Sequence, residues 1–423
     1  VRRVGTSIFL VFFFLVSAGV RGQRPRIGLE ECTTAVISGR GATDGRPLLW
    51  KNRDTNAGNN KVLFFPAGEK GLAFLGLVTA GKGERLRVWA GINQAGFAIM
   101  NSASDDLDGP GGDMEGEFMK AALEGCRTVE DFARILERTD GPGRETNADF
   151  GVIDALGGAA FFETGCHKHR RFEAADREEA PLGVLVRANF AFSGTGRGSG
   201  FGRYERARRL LEGAAGAGIL DGAFLLGVVA RDLYTFLRDP YPLEKGALGG
   251  PLDTKVTICR RSTKATALFR GVKKGEDPGR ACFWVILGNP CASVAVPLFV
   301  KAGPPPALVS GRPGGGSPLW EAARSLYLRL LVSSPEEGLL DLGILGGRKG
   351  RPGVRDILLQ AEWANFRDAE RLLSGERVPE AAELRRLEER CARRALRAIR
   401  SAALVCDEAG KERSGAGAGK GDA

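Results

Sequence analysis

Cys32, in the run Glu31-Cys32-Thr33-Thr34-Ala35-Val36-Ile37, is the residue of this chain best suited to covalent chemistry. A thiol nucleophile needs a base, and the usual one is scarce, because the 423 residues include only two histidines, His167 and His169. A cysteine freed at a new amino terminus supplies its own base. Its α-amine titrates at about 7.7 to 8.0 and can accept the thiol proton near neutral pH. This chemistry requires a cut between Glu31 and Cys32.

Other chemistry-bearing runs fall short. Cys166, His167 and His169 lack a second cysteine or a carboxylate cluster at ligand spacing, so an exposed hairpin turn is expected there and not a metal site. The run from Gly76 to Lys82 imitates a phosphate-binding loop. Gly83, however, stands where magnesium needs a hydroxyl, and a strand follows where a helix should. The Gly-rich stretch 194–202 misses the dinucleotide-binding spacing and reads as a flexible loop beside a pocket.

The elements that must position Cys32 come from hydrophobic periodicity. A strand at 33–38, a turn at Asp44-Gly45 and a second strand at 47–52 put Cys32 at a strand start. Strands follow at 62–65, 72–79, 85–90 and 97–101, then helices at 116–123 and 129–138, the second capped by Thr128 with Asp131 in the capping-box position. Strands return at 148–153, 159–163 and 183–186, helices at 203–211 and 221–237, and strands at 255–259, 265–269, 282–287 and 292–300. Strands in blocks and helices in blocks indicate an α+β layered sandwich. A Pro/Gly-rich linker is expected at 303–318, a helical extension at 319–406 and a disordered tail at 407–423.

Bulk properties narrow the class. The length permits a large core, and the apolar and charged fractions are those of a globular protein. The net charge of +10 comes without zinc-finger spacing or an aromatic RNA-binding box, and the arginines at 385–400 read as a solvated helix face, so no nucleic-acid partner is expected. Residues 1–22 read as an export signal too short for a comfortable membrane span, and 23–31 as a short propeptide; a secreted or periplasmic protein with no integral span after cleavage is expected. Export permits disulfides, yet the eight cysteines form no dense framework, so most are expected as small buried apolar residues.

Four short motifs, in order, resemble the N-terminal nucleophile hydrolases, in the branch of choloylglycine hydrolases, penicillin V acylase and, more closely, the penicillin acyltransferase-like peptidases. They are Cys32-Thr33-Thr34 with Trp50-Lys51-Asn52-Arg53-Asp54, then Gly91 to Asn101, then Arg187-Ala188-Asn189-Phe190, and last Gly202-Arg203-Tyr204-Glu205-Arg206-Ala207. The resemblance implies a four-layer αββα catalytic domain over residues 32–302. It also implies Cys32 as nucleophile, Asp54 facing its amine, Asn101 as oxyanion donor, Asn189 orienting the amine or completing the oxyanion hole, and Arg203 near the nucleophile. Lys51 stands where choloylglycine hydrolases carry arginine; it keeps the charge without the planar fork, and strand alternation points Arg53 the same way.

The resulting expectation is a self-processed cysteine amidohydrolase acting on a small linear amide, with or without acyl transfer, with no cofactor and compatible with a homo-oligomer. Two rivals stand beside it. One is a dipeptidase of the same fold; the other is a non-catalytic secreted binding protein in which Cys32 is structural.

Overall fold

The computed structural model describes residues 31–418 apart from 70, 81–85, 105, 110–111, 244–249, 314, 333, 336 and 348–350. The signal and propeptide readings therefore lie outside the described residues, save Glu31. β1 (Thr33–Ile37) pairs antiparallel with β2 (Leu48–Asp54), Thr33 opposite Asn52 and Ile37 opposite Leu48. With β10 (Val184–Arg187), β11 (Thr263–Arg270), β12 (Cys282–Leu287) and β13 (Val296–Leu298) they form a six-stranded sheet in the order β10-β1-β2-β11-β12-β13.

A second, seven-stranded sheet runs in sequence order: β3 (Asn60–Phe65), β4 (Phe74–Thr79), β5 (Val88–Asn93), β6 (Ala98–Ala103), β7 (Ala148–Ile153), β8 (Ala159–Thr164) and β9 (His169–Glu173). The two sheets pack face to face and very closely. A Cβ at Gly151 would lie within 2.3 to 3.0 Å of methyl groups of Met100, Val36 and Leu49, so any side chain there would have to push these three aside.

Helices close both outer faces. α1 (Glu115–Gly125) and α2 (Val129–Asp140) cover the seven-stranded sheet through a phenylalanine cluster in which Phe132 touches Phe97, Phe118, Phe150 and Phe162. Burying each such ring contributes about 1.5–3 kcal/mol. α3 (Phe201–Gly216), α4 (Gly222–Gly227), α5 (Pro318–Arg329), α6 (Val354–Leu373) and α7 (Ala381–Ala418) pack on the six-stranded sheet, with Leu211, Leu225, Ala323, Leu358 and Leu384 in one core with Leu268 and Trp284. The order of layers is α, β, β, α, an α+β sandwich as expected. No helix among the described residues is long and apolar enough to cross a membrane.

Several expectations need correction. The stretch 303–318 is no open linker: Pro305, Pro306 and Val309 are buried, 307–310 form a short helix, and Ser317 caps α5 through the Trp320 amide. The C-terminal helices share the main core, so they complete the outer layer of the domain. α7 runs on to Ala418, past the expected end at 406, because extending a formed helix adds one bond per residue fixed.

The single helix expected at 221–237 breaks after Gly227, where Gly and successive valines propagate helix poorly and Arg231 turns inward to a buried ion pair. Residues 255–259 form turns and no strand, since Thr257 Oγ1 bonds the carbonyls of Thr254 and Cys259. β9, read as part of a turn, is a charged edge strand whose pattern hides its pairing. The first residues of the phosphate-loop mimic, through Thr79, lie in β4. The arginines of α7 find partners: Arg390 and Arg394 reach Asp368 of α6, and Arg385 the Ala302 carbonyl.

Candidate active site

Strand alternation divides the site into two sides of β2. Leu49, with Val36 of β1, packs toward Gly151 of the seven-stranded sheet, so Lys51 and Arg53 point between the sheets while Asn52 and Asp54 point to the helical layer. Continuing the β1–β2 register one residue before Thr33 sets Cys32 opposite Arg53, and the Glu31 amide donates to the Asp54 carbonyl at 3.1 Å. Cys32 is fully buried at the strand start.

On the helical side, Arg203 is the organiser. Its Nη1 donates to the Cys32 carbonyl at 2.7 Å and to Thr33 Oγ1 at 2.9 Å, and its Nη2 donates to Asn189 Oδ1 at 2.8 Å. Gly200, at φ 85°, begins α3 in the left-handed region, and a Cβ there would lie 2.5 Å from Arg203 Nη2. Glycine thus permits both the turn and the seat of the guanidinium.

Asp54 is fully buried and accepts from Thr263 Oγ1 at 2.6 Å, while its Oδ2 accepts no hydrogen bond among the described residues. Arg203 and Arg260 each stand 3.9 Å from that oxygen. Burial pushes the Asp54 carboxyl up to about 7, against the pull of the two arginines and Thr263, with Glu31 adding to the rise. Arg203 is held below its usual value by burial and by Arg260, against the opposing charge of Asp54. Arg260 also pairs with the Glu31 carboxylate, so this arginine holds the residue on the far side of the Glu31–Cys32 bond.

Between the sheets, Lys51 Nζ donates to Asn101 Oδ1 at 2.8 Å and to the Trp89 carbonyl at 3.1 Å. That bond fixes the amide so that Nδ2 is the donor Asn101 has to offer. Arg53 lies over the Trp89 ring at 4.6 Å and donates to Asn60. Asn189 Nδ2 donates to the Ala103 carbonyl at 2.9 Å, which ties it to the strand that carries Asn101.

The loop after Asn189 is braced and not merely Gly-rich. Asn189 and Ser199 form a backbone bridge, Glu163 accepts from the amides of Phe192 and Ser193, and Asp106 from that of Ala191. Phe190, Phe192, Phe201 and Tyr204 form an aromatic cluster on this loop and the start of α3, with Phe192 and Phe201 exposed.

The structure therefore gathers Cys32, Asp54, Asn189 and Arg203 in one network, with Lys51 and Asn101 joined on the inner side of β2 and Arg53 beside them. Sequence reasoning missed Arg260, Thr263 and Trp89. Arg260 sits in a segment misread as running out of a strand, and Thr263 looks like an ordinary strand residue. Cys166, His167 and His169 take structural roles: Cys166 is buried, and both histidines approach Asp140. Among the described residues no group of three or more His, Cys, Asp or Glu is placed to hold a metal ion.

No family model matches the sequence, and no curated protein matches it. Among solved structures, the chain is similar to a variant of conjugated bile acid hydrolase from Clostridium perfringens, with 14% identity, 60% of this chain and 89% of that one covered, and a TM-score of 0.38. It is also similar to penicillin V acylase from Agrobacterium tumefaciens, with 14% identity, 60% and 82% covered, and a TM-score of 0.36. A third is the Caenorhabditis elegans orthologue of N-acylethanolamine-hydrolyzing acid amidase, with 14% identity, 56% and 92% covered, and a TM-score of 0.38.

Proposed function

We propose that this chain is a self-processed cysteine amidohydrolase that cleaves a linear amide through an acyl-enzyme on Cys32, exported to the periplasm or the cell exterior before or during maturation. The observation that carries the reading is the Arg203 guanidinium, buried at the start of β1 and bonded at once to the Cys32 carbonyl, Thr33 and Asn189 beside the Asp54 carboxyl.

In maturation the Cys32 thiol attacks the Glu31 carbonyl carbon, the carbon–nitrogen bond breaks, and the thioester is hydrolysed by water to a Glu31 carboxylate and a free thiol. The proton lost by the thiol ends on the departing amine, and Asp54, whose carboxyl titrates near neutrality on the helical side of β2, is the group set to hold that amine. After the cut the new α-amine acts as base, and Asp54 and Arg203 hold it in place. Substrate then acylates the same sulfur, with amide donors of Asn101 and Asn189 available to the developing oxyanion once Asn189 exchanges its bond to Ala103. Water completes hydrolysis, and an amine acceptor in its place gives acyl transfer. The aromatic cluster beside Asn189 suits a substrate with an apolar substituent.

Intact mass and amino-terminal sequencing test the reading. The wild type is expected to mature to a chain beginning at Cys32, and Cys32→Ala to retain Glu31 and lose amide cleavage by at least about 1,000-fold. A mature, active wild type that still carries Glu31 would sink it.

A further inference from the structure

Cys259 and Cys291 adjoin the Arg260 arm of the site and have no part in the chemistry above. Their sulfurs are 3.3 Å apart and both side chains are buried. None of the eight cysteines is in a disulfide. One asparagine holds both ends: Asn289 Oδ1 accepts from Cys259 Sγ at 3.3 Å and from the Cys291 amide at 3.0 Å, while its Nδ2 donates to the Arg260 carbonyl at 2.9 Å.

The backbone is anchored as well, with the Cys259 amide on the Asp232 carbonyl at 2.9 Å and Arg231 Nε on the Pro290 carbonyl at 2.9 Å. A disulfide needs its sulfurs at about 2.0 Å, so closing this gap takes a movement on the order of 1 Å, within reach of side-chain rotation.

The two thiols differ in environment. Cys291 lines a small pocket with Arg231, Leu345 and Arg355, and the Cys259 hydrogen bond together with those arginines holds its thiol below the usual value. Burial pushes Cys259 well up. Cys291 lines that pocket and Cys259 does not, so Cys291 is the thiol an external disulfide reaches first and Cys259 the resolving one.

We propose that Cys259 and Cys291 close reversibly to a disulfide when the chain meets an organic disulfide, and that the bond steadies the 257–263 arm whose Arg260 and Thr263 hold Glu31 and Asp54. In the first step Cys291 thiolate attacks one sulfur of the external disulfide, forming a mixed disulfide and releasing one thiolate. Cys259 then gives up its proton and attacks the Cys291 sulfur, releasing the second thiolate. Two protein thiols are oxidised and the external disulfide is reduced to two thiols, so electrons and protons balance. The importance of the arm rests on the functional reading above; the bond itself does not.

The test uses the full chain and its Cys32→Ala variant, incubated with oxidised glutathione, alkylated with N-ethylmaleimide in denaturant and digested without reductant. Peptides carrying Cys259 and Cys291 are expected joined and two hydrogens lighter, and alkylated only after dithiothreitol. Cys259→Ser is expected to trap glutathione on Cys291. Amide exchange across 257–263 is expected to slow about tenfold on oxidation. Full alkylation of both cysteines, a different pairing, or equal exchange in the oxidised and reduced chains overturns the proposal. A cross-link formed in a wild type whose Glu31–Cys32 bond stays intact defeats the reading of Cys32 and leaves this one standing.

Discussion

Arg203 and Arg231 are both buried arginines facing a buried carboxylate, and they use their donors in opposite ways. Arg231 grips Glu362 with two bonds of 2.8 Å and gives its remaining donors to the carbonyls of Leu226, Pro290 and Ser293. Burial works against its charge, but Glu362 outweighs it and holds Arg231 above its usual value. Arg203 instead bonds the Cys32 carbonyl, Thr33 and Asn189, keeps 3.9 Å from Asp54, and sits below its usual value. A matched pair pins α6 to the chain after α4. The mismatched pair leaves a buried carboxyl oxygen without a hydrogen bond among the described residues, 3.9 Å from the arginine that bonds the Cys32 carbonyl.

The contrast breaks most visibly at Glu362. Glu362→Gln leaves Arg231 charged without its counter-ion and strips charge from the bond to the Ala295 amide, with an expected loss of about 3–5 kcal/mol in urea unfolding. Activity per folded molecule is expected to stay close to wild type. Arg203→Met should do the reverse. Asp54 can remain protonated when its neighbour is lost, so stability changes less, while kcat/KM for amide cleavage is expected to fall about 100- to 1,000-fold. Arg203→Lys, which keeps charge but not the fork, should restore only part of kcat with KM little changed. Equal losses of stability in both variants would erase the distinction between the two arginines.

Much of this division was legible in the sequence, and the exceptions have a common cause. The β1–β2 hairpin, the Thr128–Asp131 capping box and the strands at 148–153 and 282–287 follow local alternation or capping, which the sequence displays directly. Cys32, Asp54, Asn101, Asn189 and Arg203 could be named from short motifs; Arg203 bonds the Cys32 carbonyl and Asn189 near Asp54, while Asn101 lies with Lys51 on the inner side of β2. Arg260 and Glu362 could not, because their partners lie 229 and 131 residues away and no local pattern marks a long-range ion pair. The folding of 303–318 was hidden for a similar reason: its prolines and glycines read as a spacer until Val309 and Trp320 find the core.

Asp54 sharpens the comparison through pH. Its carboxyl titrates at about 7 in the folded, unprocessed chain and near 3.8 ordinarily, so the folded chain keeps a proton that the unfolded chain loses between those values. The contribution to stability is full below about pH 4, declines by up to about 1.4 kcal/mol per pH unit, and is lost as pH rises through about 7. Urea unfolding of Cys32→Ala against pH should show this decline, and adding Asp54→Asn should remove it. An unchanged slope would mean that Asp54 is ionised in the fold and paired more tightly than its 3.9 Å neighbours allow.

The smallest expected effect tests whether Arg203 is placed or merely present. Gly200→Ala changes no charge and no hydrogen-bonding group, but the left-handed backbone costs a residue with a side chain about 1–2 kcal/mol, and the new methyl meets the Arg203 guanidinium and Ala188. Because α3 starts at this turn, the strain is relieved by moving Nη2 away from Asn189 while the Cys32 carbonyl bond persists. The expected result is a drop in kcat of about tenfold with KM nearly unchanged, measured alongside Gly218→Ala, a left-handed glycine at the far end of the same helix with no neighbour within 4 Å. Comparable kinetic losses in both variants would assign the effect to general backbone strain; a loss confined to Gly200→Ala assigns it to the position of one guanidinium, the feature that separates Arg203 from Arg231.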